Sequence, residues 1–209
     1  MRTRLVHDTT VELDLDELRR RLTQAGRPAF AVYGDDGAGR EAAAVTPASV
    51  LVPIIAHPGE LTLLFTQRTA HLRNHSGQVS FPGGRAEPGD ASPEFTALRE
   101  AEEEIGVPGG RVEILARLPE YLTRTGFRVT PVVGLLEPPL ELTPDSREVE
   151  EVFEVPLAFF LDPANHERRT RELQGRTVGY YVMQYRERVI WGATAGMLLN
   201  LYRRLACIE

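Results

Sequence analysis

Apolar and polar residues follow one another along this chain in a pattern that predicts short strands and a few helices. Leucines recur at helical spacing over residues 13–25, behind Asp14 or Asp16 as a capping residue, so a first helix is expected there. The glycines and charges of residues 34–44 predict a mobile surface loop. Runs rich in Leu, Ile and Val predict strands at residues 49–55, 61–67, 112–118, 127–136, 153–161 (ending in a short helix), 178–186 and 189–191.

Two of these expected strands contain a proline. Pro53 and Pro131 cannot donate a backbone hydrogen bond to a neighbouring strand, so an edge position or a β-bulge is expected at each. Residues 137–147 form a polar loop, and residues 194–205 have the pattern of a last amphipathic helix. Short strands mixed with a few helices favour an α/β or α+β fold, in which helices cover both faces of a mixed sheet.

The strongest chemical signal is an acidic helix within residues 83–107, where four glutamates occupy five positions behind a glycine turn. At about 100° per residue, Glu100, Glu103 and Glu104 share one face of the helix. The residues expected to face a core are Phe95, Leu98, Ala101 and Ile105, with Glu102 nearer to this apolar side.

These glutamates need an interaction that offsets their mutual repulsion, because like charges three or four positions apart destabilise a helix. A bound divalent cation is the simplest candidate. Carboxylate oxygens suit Mg²⁺, with Mn²⁺ as a plausible substitute. No histidine or cysteine accompanies the glutamates in this segment, which argues against zinc. The alternative interpretation is a solvated acidic surface.

This segment resembles the sequence box of the Nudix hydrolase family, G-x5-E-x7-R-E-U-x-E-E-x-G-U, in which U is a bulky aliphatic residue. The matching residues are Gly84, Arg99, Glu100, Glu103, Glu104, Gly106 and Val107. Asp90 stands in place of the first glutamate, eight residues instead of seven separate it from Arg99, and Ala101 replaces a larger aliphatic residue. The resemblance therefore assigns no role to Asp90.

The preceding residues 63–84, LLFTQRTAHLRNHSGQVSFPGG, resemble the segment that marks the coenzyme A pyrophosphatase branch of the same family. The residues at the spacing of that segment are Thr66, Arg68, Thr69, Arg73, Gly77 and the run Phe81, Pro82, Gly83 and Gly84. This resemblance implies an α/β/α sandwich with a loop–helix–loop catalytic motif. It also implies hydrolysis of coenzyme A or its derivatives to 3′,5′-ADP and 4′-phosphopantetheine.

The same resemblance implies roles for individual residues. Glu100, Glu103 and Glu104 would hold the metal and carry the catalysis, one of them as general base. The glutamates of a later segment are alternative bases or ligands: Glu148, Glu150 and Glu151. Arg68 and Arg73 would bind substrate phosphates, or would instead pair with acidic residues of the fold.

Four further residues are expected to shape the site without taking part in the reaction. Arg99 can pair with Glu103 one helical turn away and hold that carboxylate in position. Gly83 and Gly84 allow a tight backbone turn against the metal site, and Gly106 is expected to end the helix.

The whole chain is compatible with one domain of 209 residues: residues 1–47 with the first helix and loop, 63–84 with the coenzyme A-type segment, and 84–107 with the box. The net charge of −6 argues against general nucleic-acid binding, and no apolar run approaches the length of a membrane span. The single Cys207 suits a reducing cytoplasm. We expect a small-molecule substrate and make no prediction of oligomeric state.

Two other functions remain open from the sequence. One is a Nudix hydrolase of another substrate, such as ADP-ribose, NADH or a dinucleoside polyphosphate. The other is a non-catalytic nucleotide-binding regulator, which would be expected to lose one or more of the metal-binding carboxylates. This chain keeps all three of them.

Overall fold

The computed structural model describes residues 13–24, 34, 45–69, 77–173 and 175–206. Its helices are α1 (Leu15–Thr23), α2 (Pro93–Ile105), α3 (Leu157–Leu161) and α4 (Ala193–Leu205). Its strands are β1 (Thr46–His57), β2 (Glu60–Arg68), β3 (Val79–Ser80), β4 (Gly83–Arg85), β5 (Glu113–Arg117), β6 (Tyr121–Leu122), β7 (Phe127–Leu136), β8 (Val149–Pro156), β9 (Glu167–Leu173), β10 (Arg176–Tyr185) and β11 (Arg188–Trp191).

The main sheet is mixed and has β1 near its middle. Strand β1 pairs with β2 in the antiparallel sense and with β7 in the parallel sense, and the spatial order is β3-β2-β1-β7-β5. Strand β4 also pairs with β1, β6 pairs with β7, and β8 pairs with β2. Strands β9, β10 and β11 form a separate antiparallel sheet.

Helices cover both faces of the main sheet, as the pattern of apolar residues predicts. On one face, Ala97 and Ala101 of α2 pack against Leu51 of β1 and Val132 of β7. On the other face, residues of α1, α3 and α4 join one large core, for example Leu18, Phe160 and Leu198. The expected α/β/α sandwich with a mixed sheet is therefore confirmed.

Both proline predictions need correction, because β1 and β7 are interior strands. Pro53 lies between the part of β1 that pairs with β4, which ends at Val50, and the part that pairs with β2, which begins at Ile54. The Leu51 N–H points away from β7 and donates to the Pro82 carbonyl at 2.9 Å. Residues two apart in a strand point to the same side, so the nitrogen of Pro53 faces the gap between β4 and β2. No ladder hydrogen bond is lost there.

Pro131 occupies an equivalent gap on β7. Strand β6 pairs with β7 as far as Val129, and β5 pairs with it from Val132 onward. The carbonyl of Pro131 accepts a hydrogen bond from the Leu118 N–H at 2.9 Å. Proline is thus compatible with an interior strand that changes partners along its length.

Several boundaries differ from the sequence-based expectation. Glu150 and Glu151 lie in β8 instead of a loop, because β8 begins at Val149. The predicted strand that runs into a short helix over residues 153–161 is confirmed, as the end of β8 followed by α3. Strand β9 was not predicted, because its alternating arginines, glutamates and threonine resemble a solvated loop, and all but its last residue are exposed. Apart from residue 34, the predicted loop 34–44 lies outside the described residues, as does Cys207.

Within the described ranges, no helix combines the length and the apolar character that crossing a membrane requires.

Candidate active site

The acidic helix α2 has a well-defined beginning and end. The Ser92 hydroxyl accepts a hydrogen bond from the Phe95 N–H at 3.2 Å, and Pro93 occupies the first turn, where a missing N–H costs nothing. The helix ends at Gly106, whose φ of 73° is the left-handed conformation that glycine adopts readily. The predicted helix end at Gly106 is confirmed.

The buried face of α2 is rotated relative to the prediction. It consists of Thr96, Ala97, Ala101, Glu104 and Ile105. Phe95 was expected in the core, but half of its surface (50%) is exposed, so this expectation is wrong. The reason is angular: Phe95 lies about 150° from the centre of the buried face at about 100° per residue.

Glu104 is the most buried of the three glutamates, with only 5% of its surface exposed. Its Oε2 accepts a hydrogen bond from the Gly83 N–H at 3.1 Å, and its Oε1 lies 3.4 Å from Nη1 of Arg68. Burial raises the pKa of this carboxyl to about 7, although the Gly83 N–H and the Arg68 charge oppose the shift. The Glu104 carboxyl therefore changes its protonation state near neutral pH.

Glu100 is held against strand β4. A Cβ added to Gly84 would lie only 2.5 Å from Oε2 of Glu100, so the carboxylate occupies the space that a side chain at residue 84 would need. Burial also raises the pKa of Glu100, and its pairing with Arg99 at 3.0 Å acts in the opposite direction.

Arg99 holds the side of the site opposite Arg68. Its guanidinium donates to Glu103 at 3.0 Å, to the Arg85 carbonyl at 3.1 Å and to both oxygens of Asp90 at 3.1 and 3.2 Å. The contact with Glu103 is the one expected from the helical spacing. Glu103 itself is 59% exposed, so it remains accessible to solvent and ions.

Asp90 makes a contact with Arg99 that the sequence did not predict. Besides Arg99, its carboxylate accepts hydrogen bonds from the Glu87 N–H at 2.9 Å and the Thr96 hydroxyl at 2.8 Å. The Arg99 guanidinium is the main cause that lowers the pKa of Asp90 to about 2.

Of the three later glutamates, the structure brings Glu148 to the site. Arg68 bridges the buried Glu104 and Glu148, with its Nη2 at 3.4 Å from Oε2 of Glu148. The carboxylate of Glu151 instead pairs with Arg188 at 2.6 Å, and that of Glu150 is exposed on β8. Arg73 lies outside the described residues.

The loop before Glu148 is fastened to the end of α2. The N–H groups of Thr143 and Asp145 donate to the carbonyls of Ile105 and Glu104, both at 2.9 Å. These bonds satisfy carbonyls that the helix end leaves unpaired. Helix end, loop and Glu148 are therefore positioned together.

The donor atoms suit a hard divalent cation, because Glu100, Glu103, Glu104 and Glu148 offer only carboxylate oxygens. Their negative charges are offset in part by the guanidinium groups of Arg99 and Arg68. Within the part of the chain that the structure describes, no three Asp, Glu, His or Cys side chains are gathered closely enough to enclose an ion as they stand. Binding an ion here would therefore require some of these side chains to rotate.

Comparison with known proteins gives a consistent result. The family model of the NUDIX domain matches residues 45–173. A protein of Photorhabdus laumondii called an uncharacterized Nudix hydrolase NudL is 43% identical over 158 residues, which cover 76% of this chain and 84% of the relative. Its namesake from Escherichia coli K12 is 42% identical over 74% of this chain and 80% of the relative. A crystal structure of a MutT/nudix family protein from Enterococcus faecalis superposes with a TM-score of 0.49 at 16% identity, covering 94% of this chain and 71% of that one.

The two glycines of β4 are predicted to differ in their tolerance of a side chain. A Cβ at Gly83 would lie 2.5 Å from the backbone Cα of Val50, whereas one at Gly84 would meet only the end of the Glu100 side chain. We expect Gly83→Ala to lower the free energy of unfolding by about 1–3 kcal/mol. Gly84→Ala should cost clearly less, because Glu100 can rotate away. Chemical denaturation measures both, and equal losses would contradict the packing described here.

The buried Glu104 predicts a pH dependence of stability in the metal-free protein. The folded pKa of about 7 lies above the ordinary value of 4.5, so the stability linked to the protonated carboxyl is complete below pH 4.5 and is lost as the pH rises through 7. Glu104→Gln should therefore gain stability relative to wild type between pH 5 and pH 8, by up to about 3 kcal/mol. Thermal unfolding with a chelator measures this difference. Glu102→Gln is the exposed control, and a constant difference between Glu104→Gln and wild type would refute the assignment.

Proposed function

Because the chain belongs to the NUDIX domain family, we propose that it is a Mg²⁺-dependent pyrophosphatase of coenzyme A or its derivatives. Hydrolysis would break one P–O bond of the diphosphate and add water across it. The products would be 3′,5′-ADP and 4′-phosphopantetheine, or the acylated phosphopantetheine. The family assignment itself makes the chain a Nudix hydrolase, an enzyme that cleaves pyrophosphate bonds in nucleoside diphosphate derivatives, and such enzymes generally need divalent metal ions.

The observation that carries the catalytic part of the proposal is the position of the glutamates. The carboxylate of Glu104 accepts the N–H of Gly83, and that of Glu100 lies against Gly84. The exposed Glu103 lies about one helical turn after Glu100. A diphosphate is hard to attack, because its negative charge repels a nucleophile. A cation held by these carboxylates would neutralise that charge and lower the pKa of a bound water.

The protein's own residues would do the remaining work. Arg68 and Arg73 would bind substrate phosphates, since a guanidinium matches phosphate geometry. Arg99 and Asp90 would keep Glu103 and Glu100 in position. The choice of coenzyme A rests on the resemblance of residues 63–84 to the coenzyme A-type segment.

Two residues are candidates for the general base that takes a proton from the attacking water. Glu100 is half-buried beside Arg99, whereas Glu148 is 48% exposed and linked to Glu104 through Arg68. Both carboxylates lie near enough to the site to raise the pKa of Glu104. We further propose that the enzyme acts in the cytoplasm on this small-molecule substrate.

A substrate panel tests the proposal. With Mg²⁺ or Mn²⁺, we expect the highest kcat/KM for coenzyme A or an acyl derivative among coenzyme A, ADP-ribose, NADH and diadenosine polyphosphates. Product analysis in ¹⁸O-labelled water would show which phosphorus is attacked. Faster turnover of ADP-ribose would assign a different nucleotide substrate to the same site. Inactivity toward every pyrophosphate would favour a non-catalytic nucleotide-binding regulator.

Substitutions along α2 test the roles of the glutamates. Glu103→Gln and Glu104→Gln should each lower kcat by a factor of about 100 or more, because each removes charge that the metal and the developing transition state need. Glu102→Gln is a matched control, since Glu102 is exposed on the same helix but outside the acidic face. Near-normal turnover in the first two variants would contradict the metal assignment.

A further inference from the structure

We propose that Arg68 is an exchangeable counter-ion of the acidic site, which pairs with Glu104 and Glu148 in the metal-free enzyme and leaves them when a divalent cation binds. Its freed guanidinium then contacts the anionic diphosphate of the substrate. This inference rests on the proposed function, because it requires a cation at the glutamates of α2.

The contacts of Arg68 are long for charge-assisted hydrogen bonds. Its two terminal nitrogens lie 3.4 Å from Glu104 and 3.4 Å from Glu148, whereas strong pairs of this kind close to about 2.7–2.9 Å. The guanidinium therefore lies between two carboxylates without closing tightly on either. The guanidinium of Arg68 thus lowers the net negative charge of the site, but short hydrogen bonds do not hold it in one position.

Arg99 provides the contrast. It donates at 3.0–3.2 Å to Asp90, Glu103 and the Arg85 carbonyl, and Asp90 is in turn bonded to Thr96 and Glu87. Removing Arg99 from this network would leave the carboxylate of Asp90, which is only 5% exposed, without its cationic partner. Arg68 has no comparable set of short contacts in the described part of the chain, so it is the arginine that can leave.

The backbone at Arg68 is fixed, which confines the movement to the side chain. Its N–H donates to the Gln78 carbonyl at 3.0 Å, and its carbonyl accepts from the Gly77 N–H at 3.1 Å. The pairing of β2 with β8 shifts register between Gln67 and Arg68. Such an irregularity redirects a side chain away from the regular strand pattern.

Electrostatics determines the direction of the movement. A divalent cation bound at Glu104 would lie a few ångström from the guanidinium of Arg68, and the two positive charges would repel each other. The diphosphate of a bound substrate would attract the same guanidinium. Arg68 should therefore weaken binding of a lone cation, and it should favour binding of cation and substrate together, which is a coupling between the two sites.

The test is a Mn²⁺ titration without substrate, in which electron paramagnetic resonance measures the free ion. At the pH and ionic strength of the assay, Arg68→Gln should bind Mn²⁺ about tenfold more tightly than wild type, because it removes a competing positive charge. Arg68→Lys keeps the charge and should bind close to wild type. Arg169→Gln is the matched control, since Arg169 lies on β9 in the separate sheet, pairs with Glu167 and should leave Mn²⁺ affinity unchanged.

A second titration, with the product 3′,5′-ADP present, measures the coupling, because the 5′-phosphate of this product comes from the diphosphate of the substrate. The product should tighten Mn²⁺ binding more in wild type than in Arg68→Gln. Circular dichroism verifies folding, and Arg68→Met, which keeps much of the side-chain stem, replaces the glutamine variant if that one unfolds.

The inference is overturned if the neutral variants bind Mn²⁺ no more tightly than wild type, because Arg68 would then only position Glu104. In that case wild type would still bind Mn²⁺ and hydrolyse coenzyme A, so the proposed function would stand. If wild type neither binds Mn²⁺ nor cleaves a pyrophosphate, the proposed function fails and this inference fails with it.

Discussion

The close approach of strand β4 to helix α2 is the constraint on which the site depends. Gly83 gives its N–H to Glu104, and Gly84 leaves space for the carboxylate of Glu100. A side chain at Gly83 would overlap the backbone of β1, and a side chain at Gly84 would overlap the carboxylate of Glu100. The acidic face of α2 can therefore be partly buried against the sheet, where a carboxyl is desolvated and its pKa rises.

The buried negative charge needs positive partners, and two arginines supply them in different ways. Arg99 belongs to a network of short hydrogen bonds with Asp90 and Glu103, and it fixes geometry. Arg68 reaches across from the other side with two long contacts. Arg99 can thus keep the glutamates in place, while Arg68 can move when a cation or a substrate binds.

Local rules were sufficient to predict the parts of the site that depend on nearby residues. The end of α2 at Gly106 and the Arg99–Glu103 pair follow from spacing along one helix. Phe95 was placed wrongly, because helical periodicity groups residues by angle but does not fix which part of the arc meets the sheet. Asp90 was left without a role, since its contact with Arg99 depends on the path of a loop.

Tertiary pairing explains the positions that local rules misread, and Pro53 is the clearest case. On the side of β1 away from β7, Ala48–Val50 pair with β4 and Ile54–His57 pair with β2. Strand β2, in turn, pairs with β1 near Leu63 and with β3 at Thr66 and Gln67. Strands β1 and β2 therefore diverge beyond their paired segment, and β3 and β4 fill the space between them.

This divergence builds the site. The corner formed by Phe81 and Pro82 joins β3 to β4 and carries Gly83 and Gly84 to the edge of β1, where α2 crosses. The same divergence leaves Arg68 at the end of β2, near Glu104 on the other side of the gap. Proline is compatible with the point where β1 changes partners, because a residue there has no strand to receive its N–H. A proline inside an apolar run normally indicates an edge strand. Here Pro53 instead lies where β1 and β2 diverge, and this divergence brings the glycines of β4, the glutamates of α2 and Arg68 together.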